Sequence, residues 1–67
     1  MAVQLNIPAI MSVLAMNKWS NKVLAERAGI SRQSISTILR RGTCSAVNAG
    51  RLADALGVDV REIWKEG

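Results

Sequence analysis

An all-α fold of five short helices is predicted from three observations. Apolar residues recur with the helical period in five separate stretches, whereas period-2 alternation never lasts beyond four or five residues. A hydroxyl, amide or carboxylate residue that can act as an N-cap precedes each stretch. Gly29, Gly42 and Gly57 stand where three of the stretches end, and glycine takes the left-handed cap conformation at little cost.

The first helix is expected after Asn6 as N-cap, with Pro8 in the first turn, where its missing N–H costs nothing. Ile7, Ile10, Met11 and Leu14 would form its inner stripe. The second follows Ser20, with Trp19 and Leu24 spaced as a hydrophobic staple. It buries Leu24 and Ala28 and stops at Gly29. The third follows Ser31, buries Ile35, Ile38 and Leu39, and stops at Gly42. The fourth follows Ser45, with Ala49, Leu52, Ala53 and Leu56 on one face and Gly57 as its end. The last is short: Asp59-Val60-Arg61-Glu62 is an acidic form of the capping box, followed by Ile63 and Trp64. Trp19 and Trp64 fall at apolar periodic positions and are assigned to the core. Cys44 is assigned to a loop. No repeat, low-complexity tract or linker divides the chain, so residues 1–67 read as one domain.

Composition narrows the function. Sixty-seven residues leave no room for a second domain or a deep substrate cavity. One Cys and no His exclude an intrachain disulfide and leave too few soft ligands for a structural zinc site. They also exclude a His-activated nucleophile, so neither enzymatic activity nor a metal or other cofactor is expected. A reducing, cytoplasmic setting fits the single thiol. The uncharged start has no basic region before it and is broken by Gln4, Asn6, Pro8, Ser12 and Asn17, so it is neither a signal peptide nor a membrane span.

Charge is distributed with a direction. The net charge is +4, yet residues 1–17 carry none. From Lys18 to Arg51 seven basic residues stand against Glu26 alone, and residues 52–67 are net acidic. A polyanion docking on the central third is the natural partner for that field.

The connection between the second and third helices is distinctive. Only Gly29, Ile30 and Ser31 separate them, and a three-residue turn containing Gly sets two helices nearly perpendicular, the helix-turn-helix geometry. Close approach needs a small residue one turn before the Gly, and Ala25 is there. Ile30 must be apolar to plug the wedge. Bulk at Gly29 is expected to strain the turn and to part the helices. Leu24, Ala25, Ala28, Gly29, Ile30, Ile35 and Ile38 meet every requirement across residues 21–40.

These residues, with Trp19-Ser20-Asn21, Ile35-Ser36-Thr37-Ile38, Arg41-Gly42 and Leu52-Ala53-Asp54-Ala55-Leu56-Gly57-Val58, resemble the Cro/CI-type (phage repressor-like) helix-turn-helix family over roughly residues 7–64. The resemblance implies a five-helix domain that binds double-stranded DNA and works as a dimer on a palindromic operator. Three departures stand out. Asn21 replaces the usual Gln at the start of the second helix. The first helix lacks the basic residues that many members aim at phosphate. No extension follows the fifth helix, so a dimer contact falls to a small patch around Val60, Ile63 and Trp64, and dimerisation is expected on DNA but weak in free solution.

The inner stripe of the third helix fixes its outer face as Arg32, Gln33, Ser36, Thr37 and Arg40. Arg32, Gln33, Ser36 and Thr37 are the expected base readers: Gln pairs with adenine and Arg with guanine bidentately, and short hydroxyl residues permit close approach. Asn21 and Lys22, at a helix N-terminus that favours anions, are expected on phosphate, with Ser31, Arg40, Arg41 and Thr43 at the two ends of the reading helix. The expected function is transcriptional regulation, most simply repression, with no small-molecule substrate. The alternative is a protein-interaction module using Met1–Leu5, Val13 and Met16 as its surface.

Overall fold

The computed structural model describes residues 2–65. Five helices are present: α1 (Ile7–Asn17), α2 (Asn21–Ala28), α3 (Arg32–Arg41), α4 (Ala46–Leu56) and α5 (Val60–Ile63). Each begins where a side chain can receive an otherwise orphaned N–H. The side chains of Asn6, Ser20, Ser31 and Ser45 accept from the N–H three residues on, at 3.1–3.3 Å. Asp59 accepts from Arg61 N–H while Glu62 accepts from Asp59 N–H, which completes the capping box of α5. Hydrogen bonding to the Arg61 side chain, then to its backbone, holds the Asp59 carboxyl below its ordinary range.

Gly29, Gly42 and Gly57 end α2, α3 and α4 with φ of 68°, 75° and 72°. Lys18 ends α1 in the same left-handed region at φ 56°, the one non-glycine residue there among those described. A Cβ built at Gly29 meets nothing within 4 Å. The expected parting of the helices by bulk is therefore not what Gly29 prevents; its role is the backbone angle alone.

Beside the five helices of the all-α fold lies one small sheet that the sequence reading did not include. Ala2–Gln4 (β1) and Thr43–Ser45 (β2) pair antiparallel, with Val3 opposite Cys44. Leu5 N–H continues the ladder to Gly42 C=O at 2.8 Å. On the other edge of β1, Asn6 N–H donates to Ile63 C=O at 2.7 Å and Lys65 N–H to Gln4 C=O at 2.9 Å, with Leu5 bridged to Trp64. The N-terminal segment thus lies between the end of α3 and the end of α5. Strands of three residues are too short to display a period, and their hydrogen bonds come from residues distant in sequence.

Burial follows from this arrangement. One contiguous core joins Val3, Leu5, Ile10, Leu14, Leu24, Ala25, Ala28, Ile35, Ile38, Cys44, Ala49, Leu52, Ala53, Leu56 and Ile63. No polar or charged side chain is buried among the described residues. Cys44 is a core residue in β2 and not a loop residue, and burial pushes its thiol pKa up. Val3 and Leu5 are buried while Ala2 and Gln4 are exposed, so the large apolar side chains expected to form a partner surface there belong to the core; Met1 lies outside the described residues.

The stripe of α1 is also turned. Ile10 and Leu14 are buried with Ile7 and Val13 packed beside them, while Met11 is 47% exposed. Met11 sits about 100° around the helix from Ile10, outside that arc. Leu39 and Ile30 pack on the core from its margin. Neither Trp is fully internal: Trp19 is half-buried with the Arg27 guanidinium 4.1 Å from its ring centre, and Trp64 is 41% exposed. Ile63 is only 1% exposed, which removes it from the expected dimer patch.

Candidate nucleic-acid interface

Helix α3 owes its orientation to its inner side. Ile35 and Ile38 are buried and Ile30 fills the turn before it, so the helix cannot rotate without exposing them. The turn itself is fixed by Gly29 N–H and Ile30 N–H, both donating to Ala25 C=O. At the far end Gly42 N–H donates to Ile38 C=O, and Leu5 N–H holds the Gly42 carbonyl. Both ends of α3 are anchored by backbone bonds, one to α2 and one to the N-terminal segment.

The outward side forms a ridge between two clefts. Arg32, Gln33, Ser36, Thr37 and Arg40 of α3 line a shallow cleft of about 500 Å³ together with Asn21, the first residue of α2. Arg32, Gln33, Ser36 and Arg40 are exposed and Thr37 is half-buried. The four expected base readers, one α2 anchor and one α3 anchor therefore share one concave surface. Arg40 and Arg41 occupy the last turn of α3, where cations also complement the helix dipole. No acidic residue occurs between Arg27 and Arg51, so nothing in this segment repels phosphate.

The remaining expected anchors lie outside that cleft. Lys22 is exposed in the first turn of α2. Arg41 is exposed beside the cap of α3. The Ser31 hydroxyl accepts from Ser34 N–H at 3.1 Å and donates to Ser34 Oγ at 2.9 Å, so it serves its own helix first. Thr43 is half-buried in β2 opposite Gln4.

On the other flank of the ridge, a second cleft of about 340 Å³ brings Ser34, Ser45 and Asn48 beside Gln33 and Thr37. Sequence reasoning missed these three. The clue was the short span from Gly42 to Ser45, which brings the first turn of α4 back against α3.

A right-handed helix whose exposed side carries amide, hydroxyl and guanidinium groups suits the major groove, which is wide enough to admit it and displays a distinct donor and acceptor pattern for each base pair. No cluster of potential metal ligands exists among the described residues, and none of their helices is long and apolar enough to cross a membrane.

Comparison with known families agrees with this geometry. The helix-turn-helix family model matches residues 10–63, which takes in α2, the turn and α3 whole. Curated proteins and solved structures give no match. With residues 10–63 matched, most of its length, the chain belongs to the Cro/CI-type helix-turn-helix family of DNA-binding proteins.

Proposed function

We propose that the chain is a sequence-specific regulator of transcription, acting as a repressor by seating α3 in the major groove of an operator. The observation that carries this reading is the cleft in which Asn21, Arg32, Gln33, Ser36, Thr37 and Arg40 converge on an acid-free surface. Arg32, Gln33, Ser36 and Thr37 read base edges. Asn21 and Lys22 hold phosphate at the positive end of α2, and Ser31, Arg40, Arg41 and Thr43 hold it at the ends of α3. The chain acts as a single domain in a prokaryotic cytoplasm and pairs on a two-fold operator, with half-sites about 10 bp apart.

Selection from random duplexes, followed by sequencing, tests existence, motif and half-site spacing together. Two variants then separate reading from anchoring. Gln33→Ala is expected to cost roughly 1–3 kcal/mol on the selected site, concentrated at one base pair per half-site, with little change on random DNA. Arg41→Ala is expected to weaken every sequence alike and to lower the salt slope by about 1, since one fewer counterion is released. Equal loss on selected and random DNA for Gln33→Ala would remove α3 from the reading role.

A further inference from the structure

The link from α3 to α4 carries several of the proposed phosphate anchors, and the opposite end of the chain lies against it. Arg40 and Arg41 close α3, Gly42 caps it, and Thr43–Ser45 runs as β2 into α4. A link between two helices ordinarily crosses the surface as a mobile loop. Here β1 lies along it, with Ala2 opposite Ser45, Val3 opposite Cys44 and Gln4 opposite Thr43. Leu5 N–H donates to the Gly42 carbonyl at 2.8 Å, and Ile7 Cγ1 stands 3.9 Å from where a Cβ on Gly42 would be. Val3, Leu5 and Cys44 are buried. Residues 2–5 carry no charge and line neither cleft beside α3.

We propose that Val3 and Leu5 are positioning residues for DNA binding: they touch no DNA and hold residues 41–45 in the shape that meets phosphate. The proposal rests on the DNA-binding reading of α3. Ordering entropy is its physical basis. A free link would have to be ordered on binding, and that cost would be subtracted from affinity. With β1 paired along it, the link is ordered before DNA arrives.

Positioning and contact leave different signatures. Loosening β1 weakens binding through phosphate, which carries no sequence information, so selected and random DNA lose the same factor. The bound complex keeps every phosphate contact, so the salt slope does not change, whereas loss of a contacting cation lowers it by about 1. Base preference also stays, because Ile35, Ile38 and the turn at Gly29 still fix the rest of α3.

The test compares the full chain with three variants. Val3→Ala shortens a buried side chain of β1. A chemically synthesised chain with an ester in place of the amide between Gln4 and Leu5 removes the Leu5 N–H, leaves every side chain as it is, and serves should Val3→Ala unfold. Gly57→Ala, strained at φ 72° at the end of α4, controls for stability alone. NMR order parameters are read without DNA, and affinities for the selected and a random duplex are read across a salt series. In Val3→Ala and the ester chain, order parameters of residues 41–45 are expected to fall while those of α2 hold. Both duplexes are expected to bind about threefold or more weakly, with the parent's salt slope, and Gly57→Ala is expected to bind as the parent does. Unchanged affinity beside a loosened link, a lowered slope, a loss confined to one base pair, or equal weakening by Gly57→Ala would each overturn the proposal. Order parameters that hold at residues 41–45 would refute the pinning itself. A parent chain that ignores duplex DNA while its variants loosen the link upholds the pinning and overturns the DNA reading instead.

Discussion

Gly29→Ala and Gly50→Ala are the same chemical change in equally empty surroundings, and we predict effects of opposite sign. A Cβ meets nothing within 4 Å at either position, so packing is removed from the comparison. Gly29 holds φ 68°, where a residue with a Cβ costs roughly 1–2 kcal/mol. Gly50 lies inside α4, where Ala is favoured over Gly by about 1 kcal/mol. For a domain of this size 1 kcal/mol moves the melting temperature by roughly 4–8 °C. Gly29→Ala is thus expected to melt some 4–16 °C lower and Gly50→Ala about 4–8 °C higher. Gly29→Asn should lie between Gly29→Ala and the parent, because Asn tolerates the left-handed region better. Thermal unfolding followed by far-UV circular dichroism reads all three. If Gly29→Ala melts with the parent, the turn does not depend on its positive φ. A loss well beyond about 3 kcal/mol would show that α2 and α3 pack against Gly29 after all.

Three further outcomes are expected. Lys18→Gly relieves the one non-glycine left-handed residue described and should raise the melting temperature by several degrees, at about 1 kcal/mol, while a drop would show that the Lys18 side chain contributes more than its backbone costs. The carboxyl of Asp59 is held below its ordinary 3.8, so the α5 cap is fully present above that value and is lost as pH falls through the lower folded pKa. Acid melting of Asp59→Asn should lack this component, and identical acid profiles for the two chains would refute it. Cys44 is buried with its thiol pKa raised, so alkylation at neutral pH should be slow and should accelerate in step with opening of the β1–β2 pair. Labelling as fast as that of a free thiol would contradict the burial.

Helix ends were legible in the sequence because capping is local: the oxygen of Ser20, Ser31 or Ser45 and the N–H it receives are three residues apart. The face of α3 followed from Ile35 and Ile38, since a helix that buries one side must present the other. The strands were hidden because Val3 and Cys44 are far apart in the chain, and neither segment is long enough to show alternation. Met11 was misplaced because hydropathy ranks it with Ile10, and only the packing of α4 and α5 against α1 decides which of the two turns inward. Ser34, Ser45 and Asn48 were overlooked for the same reason as β2, whose return path brings them beside Gln33.

The position of the N-terminal segment bears on how the molecule assembles. α2 packs on α3 and α4 on α5, neighbours in sequence whose contacts cost little chain entropy to close. The bonds of Gln4 to Lys65, Asn6 to Ile63 and Leu5 to Gly42 span most of the chain. Closing them costs the most chain entropy, so this zipper is expected to form late and to open first, which faster native-state exchange of the Leu5, Asn6 and Lys65 N–H groups than of the helix interiors would check. Since Leu5 N–H bonds the Gly42 carbonyl, opening of the zipper also frees the C-terminal cap of α3, while the core and the turn still hold the rest of that helix.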